Sequence, residues 1–192
     1  NRVLRSYSSG ETEDPRFACG RIRAAGVRGP LFAIGFSLGG NALLKLLAET
    51  GDASPIDAGV AVSTPFDLAA CARALDAPWG SGAIYRREFL RTLRRKALRK
   101  LRDHPACGLS PDAVRRSRTF HGFDDAFTAP SNGYRDADDY YARASSGPLL
   151  DRIRRPALCI NAEDDPMVPV ETLPASSPNP AVQILRTPRG GH

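Results

Sequence analysis

Residues 31–44, LFAIGFSLGGNALL, carry an apolar run into a helical pattern through the short turn Gly35-Phe36-Ser37-Leu38-Gly39. A nucleophilic serine held on a sharp turn requires this strand, turn and helix context. Glycines two places before and two places after the serine leave room for the strand and the helix to approach closely. The segment therefore predicts that Ser37 is the nucleophile of an esterase-type enzyme. The alternative is that the glycines serve only a tight turn between a strand and a helix.

Four short segments predict a sheet of parallel strands: Leu31–Gly35, Ala58–Ser63, Ala157–Asn161 and Val182–Thr187. The first three are rich enough in Ile, Val and Leu for strands that are buried on both faces. Helical spacing over Gly40–Thr50 makes the first two strands a βαβ unit. The pattern predicts an α/β fold with a doubly wound sheet, whose ligands bind at the carboxyl ends of the strands.

No convincing strand occurs between Leu68 and Ile153. Helical patterns there cover Ala69–Leu75, Ile84–Arg102 and Pro111–Arg118, and a polar stretch dotted with aromatic residues, Phe120–Ser146, follows them. A connection of this length with helices of its own is most simply a helical cap inserted over the active-site edge of the sheet. We therefore predict one domain over residues 1–192 with a cap insertion over residues 69–152.

A serine nucleophile needs a base within hydrogen-bond reach and an acid that orients the base. Asp165 follows the third predicted strand at the spacing Asp-x-x-Val-Pro and is the predicted acid. Asp164 stands one residue early and is expected to face outward from the turn, while Asp67 after the second strand is the remaining alternative.

Of the three histidines, only His192 follows a late strand, where Gly190 and Gly191 let the loop swing the imidazole toward the serine. His104 and His121 fall in the predicted cap, where surface or packing roles are expected. As the last residue, His192 is also expected to fray. The backbone N–H of Leu38, directly after the serine, is the predicted first donor to an oxyanion, and no segment before Leu31 suggests a second donor.

The chain carries a net charge of +6 that is concentrated in one segment. Residues 85–102 hold seven Arg and two Lys against Glu88, a net charge of +8, and the remaining residues carry −2. The helix over 84–102 is amphipathic, with Tyr85, Phe89, Leu93, Ala97 and Leu101 along one side and Leu90 and Leu98 alongside them. Its basic face is interpreted first as solvated, with contact to an anionic membrane surface or a charged substrate as the alternative. Nucleic-acid binding is not expected because no aromatic residues interrupt the basic face.

The cysteines, the apolar runs and the start of the chain bear on the expected cellular location of the protein. The four cysteines, Cys19, Cys71, Cys107 and Cys159, are widely scattered, with no Cys-x-x-Cys pair and no histidine at metal-ligand spacing. A reduced cytoplasmic location and no metal site are therefore expected, with peripheral membrane association as an alternative. No run approaches the roughly 18 apolar residues of a membrane-spanning helix. The start at Asn1 suggests an internal fragment of a longer protein.

Several strings in order carry a family resemblance: Tyr7-Ser8-Ser9-Gly10-Glu11-Thr12-Glu13-Asp14, the segment Gly35–Lys45, Pro65-Phe66-Asp67-Leu68, Phe127-Thr128-Ala129-Pro130, Asp138-Asp139-Tyr140-Tyr141 and Asp164-Asp165-Pro166. With them the chain resembles the YheT-like branch of the α/β-hydrolases, whose relatives include abhydrolase-domain esterases and lipases. The resemblance implies a Ser37, Asp165 and His192 triad that hydrolyses carboxylic esters without a metal or organic cofactor. It implies as substrates short-chain esters, monoacylglycerols or phospholipids.

The resemblance also implies that strands and an oxyanion loop of the family are missing before Leu31. The fragment alone is therefore expected to be inactive, although the intact parent is expected to be a carboxylesterase or lipase. Two alternatives remain open: an acyltransferase that uses the same three residues, and a noncatalytic scaffold that binds a membrane or a partner.

Overall fold

The computed structural model describes residues 3–78 and 81–192, which divide into two units. The sheet unit consists of Ser9–Leu68 and Ala144–His192. The helical unit consists of Ala69–Arg143 together with the described residues up to Ser8. That residues 69–152 form a functional cap stays a prediction.

Four parallel strands form the sheet unit: β1 (Phe32–Phe36), β2 (Ala58–Val62), β3 (Ala157–Ala162) and β4 (Val182–Thr187). Their spatial order is the same as their order in the chain, and neighbouring strands are hydrogen-bonded in parallel. The predicted α/β fold is confirmed, and every predicted strand is found within one residue of its predicted ends. Parallel pairing brings the carboxyl ends of all four strands to one edge.

Two helices accompany these strands, α1 (Glu13–Ala24) and α2 (Leu38–Thr50). The predicted helix over Gly40–Thr50 is confirmed as α2, which begins two residues earlier. Four of its leucines, Leu43, Leu44, Leu46 and Leu47, are almost entirely buried. Leu43 and Leu47 pack over Gly59 of β2, where an added Cβ would lie 3.3 and 3.1 Å from their methyl groups. This packing of an apolar helix on the sheet fixes the start of α2, and with it the turn at Ser37.

Burial of β1 on both faces, expected from its apolar sequence, is wrong. Phe32, Ile34 and Phe36 are 67, 64 and 67% exposed, whereas Gly35 is buried. Alternate residues of a strand point to the same face. One face of β1 is therefore uncovered within the described part of the chain, and a continuous apolar run cannot reveal which of its faces has a covering layer.

The helical unit contains the remaining helices: α3 (Leu68–Asp76), α4 (Ser81–Asp103), α5 (Pro111–Arg116), α6 (Phe120–Phe123), α7 (Ala129–Ser131) and α8 (Ala137–Ala144). The stretch 120–146, for which the sequence predicts no element, thus folds as short helices with a π-helical turn at Asp124–Thr128. Side-chain caps explain where α5 and α6 begin, because the side chains of Ser110 and Thr119 accept hydrogen bonds from backbone N–H groups of α5 and α6.

The core of the helical unit forms where α4 meets α5 and the segment around the π-helical turn. Its buried residues are Leu90, Ala97, Leu101, Val114, Phe123 and Phe127. The predicted apolar side of α4 is correct for Ala97 and Leu101. It is wrong for Tyr85 and Phe89, which are 41 and 42% exposed, because the buried face of the helix turns toward Leu90 instead.

Candidate active site

Ser37 lies on the turn between β1 and α2 in a strained backbone conformation. Its φ is 51° and its ψ is −123°, a region that residues other than glycine rarely occupy. The Ser37 N–H donates to Val62 O at 2.7 Å, and Ser37 O accepts the N–H groups of Gly40 and Asn41. Such strain costs roughly 1–3 kcal/mol and persists only where surrounding contacts fix it. The turn therefore holds the hydroxyl at the carboxyl end of β1.

Two glycines of this turn are required by close backbone contacts. A Cβ on Gly35 would lie 2.7 and 2.8 Å from Gly39 C and Gly40 Cα, and it would also collide with Gly39 O. A Cβ on Gly40 would collide with Thr64 Oγ1 and lie 3.1 Å from Gly35 O. Gly39 has no described atom within 4 Å of the corresponding position. The expected steric role of the glycine two residues after the serine is thus wrong, and Gly40 takes that role.

Asp165 follows β3 and is held by the backbone of its own turn. One carboxylate oxygen, Oδ1, accepts the N–H groups of Met167 at 2.8 Å and Val168 at 3.2 Å. The other, Oδ2, lies 2.8 Å from His192 Nδ1. The carboxylate side chain is fully buried. These bonds use both oxygens and fix the direction from which the imidazole is held.

His192 connects the carboxylate to the serine. Its Nε2 lies 2.8 Å from Ser37 Oγ, and its side chain is 24% exposed. The imidazole that donates from Nδ1 to Asp165 leaves Nε2 free to accept the serine hydroxyl proton. The structure thus brings together the three residues that the sequence selected, from the ends of three different strands. These two bonds hold His192 in place, and the expected fraying of this residue stays a prediction.

Asp164 has a contact that the sequence did not predict. It is exposed, as expected, yet its Oδ1 accepts the N–H of Gly191 at 2.9 Å. Gly191 adopts a φ of 66°, which favours glycine, directly before the histidine. Asp164 therefore anchors the loop that carries His192, while its neighbour contacts the imidazole itself.

The backbone N–H of Leu38 points to a further function of the turn. It is the first N–H of α2, and none of the described residues accepts it. Unpaired N–H groups at the start of a helix attract negative charge. The predicted oxyanion donor is thus available next to Ser37.

The other sequence candidates lie elsewhere. Asp67 is exposed, and His192 pairs with Asp165 in its place. His121 and His104 belong to the helical unit, where His121 Nε2 lies 3.1 Å from Asp138 Oδ1. All four cysteines are free thiols. Within residues 3–78 and 81–192 no cluster of His, Cys, Asp and Glu suits a metal ion, and no helix is long and apolar enough to cross a membrane.

Asn41 is a buried polar residue whose contacts the sequence did not reveal. Its Nδ2 donates to Ser9 O at 2.9 Å and Ala144 O at 2.7 Å, and its Oδ1 accepts the Ser146 N–H at 2.8 Å. The side chain is completely buried four residues after the serine. It therefore ties the first turn of α2 to two distant segments of the sheet unit.

Sequence comparison identifies the family. The profile of the alpha/beta hydrolase fold matches residues 17–192. The chain belongs to the α/β-hydrolase family. Over its whole length it is 40% identical to the Escherichia coli (strain K12) protein named "Putative esterase YheT", of which it spans 56%. This similarity confirms the resemblance to the YheT-like branch.

A second relative and a solved structure agree with this assignment. Monoacylglycerol lipase of Saccharomyces cerevisiae is 32% identical over 97% of the chain, which spans 42% of that lipase. The chain thus spans about half the length of these relatives. An esterase from Pyrococcus furiosus superposes on 97% of the chain with a TM-score of 0.53, at 16% identity and over 56% of its own length. That likeness shows the fold alone.

Proposed function

We propose that the protein is a serine hydrolase that cleaves carboxylic esters. The observation that carries the proposal is the continuous hydrogen-bonded relay from Ser37 Oγ through the imidazole of His192 to the Asp165 carboxylate, with both bonds at 2.8 Å. Nucleophile, base and orienting acid in this geometry are the elements of acyl transfer through a serine.

The chemistry follows from the positions of the atoms. Ser37 Oγ attacks the ester carbonyl while His192 Nε2 takes its proton, and Asp165 stabilises the imidazolium that forms. The Leu38 N–H donates to the oxyanion of the tetrahedral intermediate. Collapse of that intermediate releases the alcohol, which receives the proton from His192, and leaves an acyl-enzyme. Water then attacks the acyl-enzyme by the same proton route, releasing the acid and restoring Ser37.

The names of the relatives support an ester of a lipid or of a short acyl chain as the substrate. They include an esterase and a monoacylglycerol lipase. The three side chains and one backbone N–H supply a nucleophile, a base and an oxyanion donor. The proposed mechanism therefore uses no metal or organic cofactor.

Hydrolysis of p-nitrophenyl butyrate and of a monoacylglycerol by the protein expressed from its complete open reading frame tests the proposal. Ser37→Ala is expected to lower kcat by at least a thousandfold, because the nucleophile is lost. The matched control, Ser176→Ala, changes an exposed serine and is expected to retain full activity. Equal activity of the Ser37 and Ser176 variants would refute the proposal. Product analysis in the presence of an added alcohol distinguishes hydrolysis from acyl transfer.

A further inference from the structure

A basic groove lies within the helical unit, between α4 and α5. Its volume is about 610 Å³. Six arginines line it together with three apolar residues: Arg91, Arg94, Arg95, Arg99, Arg102, Arg115, Leu98, Leu101 and Pro111. The groove therefore combines a high positive charge with an apolar strip, and the ester chemistry proposed above uses none of its residues.

Half of these arginines are already paired. Arg91 bonds Glu88 at 2.8 Å, Arg115 bonds Asp112 at 2.6 Å, and Arg94 donates to Ser117 O at 3.1 Å. These bonds hold three guanidinium groups along the sides of the groove. The charges of Arg91 and Arg115 are compensated by carboxylates, whereas Arg94 is held by a neutral carbonyl oxygen.

The other three arginines have no such partner. Arg95, Arg99 and Arg102 are exposed, and within the described residues no carboxylate lies at ion-pair distance from them, although Glu88 interacts with Arg95 at longer range. Their spacing of four and three residues places them on one face of α4. Three cations that lie side by side without a close carboxylate repel one another, so an anion bound between them lowers the electrostatic energy.

The face of α4 opposite the arginines limits which part of the helix can contact a ligand. Leu90 and Ala97 are buried in the core of the helical unit, and Leu101, which also lines the groove, is buried there too. This buried side of the helix cannot enter a bilayer, whereas the arginine face is accessible to one. Leu98 and Pro111 give that face a small apolar strip.

We propose that this groove binds the phosphodiester headgroup of an anionic phospholipid. Guanidinium forks bind phosphate oxygens in pairs, and they do so more selectively than ammonium groups. The apolar strip suits the glycerol and first methylenes of the same lipid. A nucleic acid fits less well, because none of the described residues that line the groove is aromatic and a base therefore finds no ring there to stack on. The proposal is independent of the proposed ester hydrolysis.

Co-sedimentation with vesicles of phosphatidylglycerol and phosphatidylcholine, compared with pure phosphatidylcholine, tests this site in the complete protein. The groove variant combines Arg95→Gln, Arg99→Gln and Arg102→Gln. The matched control combines Arg87→Gln, Lys96→Gln and Arg116→Gln, which remove the same charge from exposed positions of α4 and α5 outside the groove. We expect the groove variant to bind anionic vesicles at least tenfold more weakly than the wild type, and the control less than threefold more weakly.

Equal losses in the two variants, or equal binding of anionic and neutral vesicles, would overturn the proposal. So would binding of inorganic phosphate or of a single-stranded oligonucleotide at the groove without binding of vesicles. Chemical modification of the wild-type protein tests the same site without relying on a variant that could misfold. Anionic vesicles are expected to protect Arg95, Arg99 and Arg102 from phenylglyoxal more than Arg87 and Arg116, and uniform modification would contradict the site.

Discussion

Replacing Gly35 by alanine tests how the turn at Ser37 is built. The added Cβ would lie 2.7 and 2.8 Å from backbone atoms of Gly39 and Gly40, distances far below van der Waals contact. Backbone atoms cannot swing away as a side chain does, so β1 and the first turn of α2 must separate. Overpacking of this kind costs about 1–3 kcal/mol, and we expect Gly35→Ala to lie at the upper end of that range.

The matched change at Gly39 is expected to be neutral or slightly stabilising. No described atom lies within 4 Å of the position that a Cβ on Gly39 would take, and Gly39 belongs to the first turn of α2. Alanine in place of glycine in a helix gains up to about 1 kcal/mol, with less expected in a first turn. The two substitutions add the same methyl group at positions four residues apart. The difference between their effects on the free energy of unfolding therefore measures the contacts of each added methyl group.

Urea unfolding followed by circular dichroism gives both free energies of unfolding, provided that the slopes with urea agree. Gly35→Ala is expected to reduce the free energy of unfolding by about 3 kcal/mol, and Gly39→Ala to leave it unchanged or raise it slightly. If Gly39→Ala destabilises as much as Gly35→Ala, the assignment of the close contacts to Gly35 and Gly40 is incorrect.

Three further substitutions test particular contacts. Asn41→Ala removes three buried hydrogen bonds and is expected to lower the free energy of unfolding in urea by about 3–5 kcal/mol; a loss below about 1 kcal/mol would contradict the bonding. Asp164→Ala frees the Gly191 N–H and is expected to lower kcat about threefold to tenfold with KM unchanged, whereas Asp164→Asn, which keeps an acceptor, restores kcat. Asp124 accepts a hydrogen bond from the Tyr141 hydroxyl, and burial raises the pKa of its carboxyl group to about 6. The folded state therefore binds the carboxyl proton more tightly than the unfolded state does. The free energy of unfolding consequently falls as the pH rises from about 4 to 6. Asp124→Asn is expected to flatten that fall in urea titrations and to raise stability at pH 7 by up to about 3 kcal/mol, and an unchanged pH profile would refute the buried charge.

Local patterns were sufficient to predict the sheet and the three residues of the relay. Strand periodicity located β1 to β4, and parallel strands place their following residues at one edge, so Ser37, Asp165 and His192 could be selected from order and spacing. The strand predictions succeeded and the three selected side chains lie together, because both depend on periodicities of a few residues and on one topological rule; the catalytic functions of the three stay predictions.

Contacts between distant segments could not be predicted in this way. The need for glycine at Gly40 comes from Thr64, and the function of Asn41 comes from Ser9 and Ala144, which lie up to 103 residues away in the chain. The exposed face of β1 likewise depends on which layer covers the strand. A single sequence contains the residues of such contacts but not their pairing.

The most direct test of the proposed Ser37 mechanism is the site at which a fluorophosphonate probe labels the protein expressed from its complete open reading frame. In the proposed mechanism the relay activates the Ser37 hydroxyl, so mass spectrometry of the digested adduct is expected to find one modified peptide, with the phosphonate on Ser37. His192→Asn is expected to abolish that adduct while the protein remains folded, because Ser37 then has no base. An adduct on another residue, or undiminished labelling of the His192→Asn variant, would contradict the account.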